Sequence, residues 1–127
     1  MPEKDLFEYA IVRIVPKVER EEFINVGVIL YCAKQKFLQA IFTIHEERLR
    51  AFCTKTDLAE LKEHLDSYNN ICKGTPGSGP IGQLDLASRF RWLTATRSTV
   101  VQSSKVHPGL TENPVETLQK LYAQLVL

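Results

Sequence analysis

Arg13, Asn25 and Thr43 are the residues whose chemistry converges if the first three strand-like runs of the chain fold as neighbouring strands. A guanidinium presents several donors in a rigid fork suited to a carboxylate or phosphate, and an amide beside it can fix the orientation of such a ligand. Gly27 belongs to the same stretch: Phe23-Ile24-Asn25-Val26-Gly27-Val28 sets a polar residue and a glycine inside a β-branched run. Strand interiors disfavour both, so the pair points to a constrained backbone, a close approach by another group, or a polar spot within a sheet. The structural alternative has Arg13 paired with Glu19, Glu21 or Glu22 while its stem covers the sheet, and Asn25 bonded to a turn. Ion pairs of that kind are commonplace on sheet surfaces, which favours the structural account.

A second constellation lies in segment 89–105, where Arg89, Arg91 and Arg97 flank Trp92 and Lys105 follows. Basic residues interleaved with an aromatic can bind single-stranded nucleic acid by stacking and phosphate contact. Helical spacing turns Leu86, Phe90 and Leu93 inward and leaves Trp92 off that stripe, as a partner-binding anchor or as packing beneath a loop. Sixteen Lys+Arg against fifteen Asp+Glu give a net charge of +1, without the global basic field that drives non-specific nucleic-acid binding. Nucleic-acid binding is therefore the alternative reading and not the first.

Other chemistry finds no support. His45, His64 and His107 lack a ligand-spaced partner, so no metal is implied. Cys32, Cys53 and Cys72 sit among apolar neighbours and read as reduced core thiols. The glycine-rich stretch 73–83 lacks the Gly-Lys-Ser/Thr ending of a phosphate loop, and its prolines remove two donors. No carboxylate pair or activated nucleophile stands out, so no catalytic residue and no cofactor is assigned.

The elements that must position these residues follow from periodicity. Leu6 to Val15, Phe23 to Cys32 and Lys36 to Ile44 read as three strands joined in two antiparallel hairpins. Pairing Val15 with Phe23 puts Arg13 opposite Asn25 and Ile11 opposite Gly27; pairing Tyr31 with Phe37 puts Asn25 opposite Thr43. Arg13, Asn25, Gly27 and Thr43 then share one face, while Ala10, Val12, Ile14, Val26, Val28 and Leu30 form the apolar face that receives helices. A short helix is expected over 45–53 and a longer one from Thr56 to Cys72, with Gly74 as its stop. A flexible Gly/Pro-rich loop spans about 73–83, a third helix covers Leu84 to Leu93, and Thr99 to Ser103 adds a fourth strand. Asn113 as cap, Pro114 at the first position and Glu116 after it open a final helix.

At 127 residues, 44% hydrophobic and 24% charged, the chain has the size and composition of one globular domain over 1–127. The expected class is α+β, an antiparallel sheet of three to four strands with helices packed mainly on one face. The polar start Met1-Pro2-Glu3-Lys4-Asp5 and the lack of a long apolar run imply a cytoplasmic protein with no membrane segment. Nothing specifies an oligomeric state.

Phe7-x-Tyr9-Ala-Ile-Val-Arg13-x-x-Pro16, Glu22-Phe23-Ile24-Asn25-Val26-Gly27-Val28, Phe90-x-Trp92-Leu93 with Arg97 behind it, and the closing Asn113-Pro114 helix together resemble a family of small bacterial proteins known as domain of unknown function 3037. The resemblance spans almost the whole chain, and Phe-x-Asn-Val-Gly-Val after an Arg-bearing strand is its most specific part. It brings no activity, cofactor or catalytic residue, but genes of this family are often associated with kinase-like proteins of the HipA type, which implies a protein partner. The functional expectation is a non-catalytic binding or adaptor module for a protein partner or an anionic group. Its candidate residues are Arg13, Asn25, Gly27, Thr43, Trp92 and Arg97.

Overall fold

β-Formers fill Asp5–Ile14, and this run is β1, the central strand of a five-stranded antiparallel sheet. The computed structural model describes residues 3–15, 24–45, 47, 49, 55–95 and 101–127. Two further strands, β2 (Ile24–Cys32) and β3 (Phe37–Phe42), extend the sheet on one side of β1. On its other side β4 (Val101–Ser103) pairs with Val12 to Ile14, and β5 (His107–Thr111) pairs with Asp5 to Tyr9. Ser104 joins these two partners: its N–H donates to Ile11 O at 2.8 Å, and its hydroxyl accepts from Ile11 N at 2.8 Å.

The proline and glycine of β5 argue against a strand, yet both suit this place. Pro108 lies at the sheet edge, where a missing N–H costs no ladder bond. At Gly109, across from Phe7, any side chain would meet the Phe7 ring.

A β-bulge sets the register. Arg13 lies opposite Asn25 as expected, but Val12 lies opposite Gly27, so Val26 is an extra residue on β2. Every β2 residue beyond Val26 is therefore on the other face from that expected, because side chains alternate with a period of two. The second hairpin is also one step out: Cys32, not Tyr31, pairs with Phe37. Lys36 adopts φ 50° in the intervening turn, whose Lys36 N–H donates to Ala33 O at 3.1 Å, so the turn takes one residue more than the three expected.

Apolar spacing of three and four residues produces α1 (Lys55–Lys73), whose Leu58, Leu61, Leu65 and Cys72 are buried. Gly74, at φ 68°, ends it. The glycine loop then makes a single helical turn, α2 (Gly79–Gly82), packed on α1 and on α3 (Leu86–Leu93). Asp85 caps α3 by accepting from Ser88 N at 2.7 Å, and Asn113 caps α4 (Pro114–Leu125) by accepting from Glu116 N at 3.2 Å. Most of the helix expected over 45–53 lies outside the described residues, although Leu49 is buried in the core.

Among the described residues α1 and α3 lie on one side of the sheet, with α2 against them. There α1 and α3 enclose Ala10, Val12, Ile14, Ile29, Leu61 and Phe90. The opposite side receives α4, whose Leu118, with Val126 just beyond its end, packs with Phe7, Val28, Leu30 and Cys32. Val28 and Leu30 thus reach the α4 side through the bulge. Among the described residues no helix is long and apolar enough to cross a membrane.

Candidate functional site

Arg13 and Asn25 face each other across the β1–β2 ladder on the near side of the bulge, and both are half-buried. Their face is that of α4, since Val12 and Ile14 on either side of Arg13 point into the α1 core. Asn25 Nδ2 donates to Leu125 O at 3.3 Å, near the end of α4. Its Oδ1 is buried and has no hydrogen-bond partner among the described residues. This carboxamide is therefore partly committed to holding the last turn of α4 on the sheet.

Gly27 and Thr43 do not join that pair. Gly27 stands opposite Val12 and Phe42 on the α1 side, where an added Cβ would lie 2.5 Å from Phe42 Cδ1 and 2.5 Å from Ile41 O. The glycine thus answers to a ring packed over it, and the polar face lies on the other side of the strand. Thr43 N–H donates to Val26 O at 2.7 Å, so Thr43 faces Val26 and not Asn25. With Lys62, Asp66 and Asn69 of α1 it lines a separate groove of about 240 Å³.

In segment 89–105, Arg89 is buried against Gly74 and beside Cys72, and its Nε has no hydrogen-bond partner among the described residues. Burial pushes the Cys72 thiol up to about 12, against the opposing pull of the Arg89 and Lys73 charges. Arg91 Nη2 holds both carboxylate oxygens of Glu8, at 3.0 and 2.7 Å, with its guanidinium 5.4 Å from the Phe90 ring centre. Trp92 is half-buried against the main core. Arg97 lies outside the described residues, as do Glu19, Glu21 and Glu22.

The structure brings together a set that periodicity did not single out. Leu6 on β1 lies directly across from Leu110 on β5, and the two are 61% and 63% exposed. They sit on the α1 and α3 side of the sheet, beyond the reach of those helices, where Glu8 meets Arg91 and the Tyr31 ring stacks on Phe90 at 5.3 Å. Leu6, Leu110 and Tyr31 floor a groove of about 440 Å³, with Lys4, Lys34, Asp5 and Glu8 around it. Asp5 Oδ2 accepts from Gln35 Nε2 at 3.0 Å, and the same amide donates to Glu112 O at 3.2 Å. The turn between β2 and β3 is thereby tied to the chain just ahead of α4, which gives the groove a braced wall. Its sequence signal is slight: Leu110 follows Pro108-Gly109, a pair that marks a loop, and only the register discloses that Leu6 is its neighbour.

The family model described as "Protein of unknown function (DUF3037)" matches residues 9–126. The chain belongs to that family. No curated protein and no solved structure shows a match to this DUF3037 chain. Among its described residues no group of three His, Cys, Asp or Glu side chains gathers in a way that could hold a metal ion.

Proposed function

We propose that this DUF3037 protein is a non-catalytic binding or adaptor module that holds a protein partner at the Leu6–Leu110 groove. The cross-strand leucine pair carries the reading. Two large apolar side chains, each more than half exposed and directly adjacent, lie in a concavity of about 440 Å³, within the size range of binding pockets. The ionisable groups of the groove favour holding over chemistry, because Glu8 is tied to Arg91 and Asp5 to Gln35. A kinase-like protein of the HipA type is the partner class that the family resemblance suggests, in a bacterial cytoplasm.

Arg13 and Asn25 are the second contact surface of this reading, on the α4 face, where an anionic group of the partner would meet the guanidinium. Among the described residues of segment 89–105, Lys105 is exposed and outside any ion pair, while Arg89 is buried and Arg91 is held by Glu8. Within those described residues one uncommitted lysine is fewer than the run of phosphate contacts that nucleic-acid binding uses.

Co-purification from native cells, with mass-spectrometric identification, tests the proposal. The wild-type chain should retain a defined protein that Leu6→Ser/Leu110→Ser loses, with both chains folded by circular dichroism. Retention by the double variant rejects the groove. Loss through Arg13→Ala alone would move the contact to the α4 face.

A further inference from the structure

We infer that the Leu6–Leu110 groove takes an acidic peptide segment of a protein partner, seating an apolar side chain between the two leucines while its carboxylates meet Lys4 and Lys34. The inference rests on the proposal that this groove holds a protein, and adds the chemistry of what it holds. Four charged side chains line the groove, two of each sign. The acids are already engaged within the chain, Glu8 by the Arg91 guanidinium and Asp5 by the Gln35 amide. Lys4 and Lys34 are exposed, and neither has an ion pair or side-chain hydrogen bond among the described residues. The Gln35 amide is neutral and leaves Asp5 its charge, so Lys4, Lys34 and Arg91 against Asp5 and Glu8 leave +1 at the groove, an excess that selects against basic segments as well as for acidic ones.

A second copy of this chain fits less well. A two-fold arrangement groove to groove would set two patches with the same positive excess against each other. A braced wall also suits capture of a flexible segment, because little of the groove has to be ordered on binding.

Selection from a library of random displayed decapeptides against the full chain is the test. Binders of the wild-type protein should carry acidic residues around a leucine, isoleucine or phenylalanine, and a synthetic copy of the best should weaken several-fold as salt rises. Leu110→Ser should weaken it by about tenfold or more. Lys4→Glu/Lys34→Glu should turn the selection towards basic peptides. Binders without acidic bias that still depend on Leu110 overturn this inference and leave the docking proposal standing. Binders indifferent to both variants, or no binders, overturn both. Concentration-dependent dimerisation abolished by Leu110→Ser, in sedimentation of the free chain, would replace the peptide by a second copy.

Discussion

The Phe42 ring lies over Gly27 on the neighbouring strand, so close that a Cβ on Gly27 would fall 2.5 Å from Phe42 Cδ1 and equally near Ile41 O. A ring can turn aside, but a ladder carbonyl cannot. Gly27→Ala should therefore cost about 2 kcal/mol, as overpacking of a filled core does. Urea unfolding measures it, and adding Phe42→Leu should restore only part of the loss because Ile41 O remains. Full restoration would show that the ring alone requires the glycine.

Ser104 stands in for a missing rung of the ladder. Its hydroxyl accepts from Ile11 N and donates to Lys105 O at 2.9 Å, which lets the chain pass from β4 to β5 without orphaning a central-strand amide. Ser104→Ala should cost about 1–2 kcal/mol. Hydrogen exchange at the Ile11 amide should accelerate more than at its β1 neighbours, and uniform acceleration would deny the local role.

Arg13 opposite Asn25, the inner face of α1 and the Asn113 cap were legible because each rests on local spacing or on pairing within a few residues of a turn. The bulge at Val26 was not, since the backbone there selects two residues against one through contacts with β1, and nothing in Asn-Val-Gly fixes which residue is extra. From that point the assignment of faces inverted, which carried Gly27 away from Arg13. The groove was hidden for a different reason: it is the product of a long-range pairing, Leu6 with Leu110, through a strand that holds both a proline and a glycine. Trp92 fell off the helical stripe by periodicity and still packs on the core, because a large ring reaches around a short helix.

Cys72 should be inert in the native protein. The residue is 1% exposed and burial pushes its thiol up from 9.0 to about 12, so the thiolate that reacts with alkylating agents is scarce. At pH 8 iodoacetamide should label Cys72 only as fast as the chain unfolds, read by peptide mapping. The folded pKa lies above the unfolded one, so the contribution to stability is whole below pH 9 and fades as pH climbs towards 12. By pH 10 the loss should be about 1 kcal/mol, and Cys72→Ala should lack that part of the alkaline decline. Equal declines in the two proteins would show that other groups account for it.

Asp85 governs the opposite end of the pH scale. Hydrogen bonds from the Ser88 backbone and hydroxyl hold its carboxyl below the ordinary 3.8. A depressed folded value means that stability is present above the unfolded pKa and is lost as pH falls through the folded one. Thermal unfolding followed by circular dichroism should therefore show an acid limb below about pH 4 that Asp85→Asn flattens, because an amide oxygen still accepts from Ser88 N without titrating. Asp85→Ala removes the acceptor outright and should lower the melting temperature at every pH, by the same amount above pH 5 as at pH 7. The two substitutions separate the cap from its charge. If Asp85→Asn keeps the wild-type acid limb, the carboxylate is not what protonation disables, and α3 owes its start to the buried Phe90 and Leu93 instead of to its first turn.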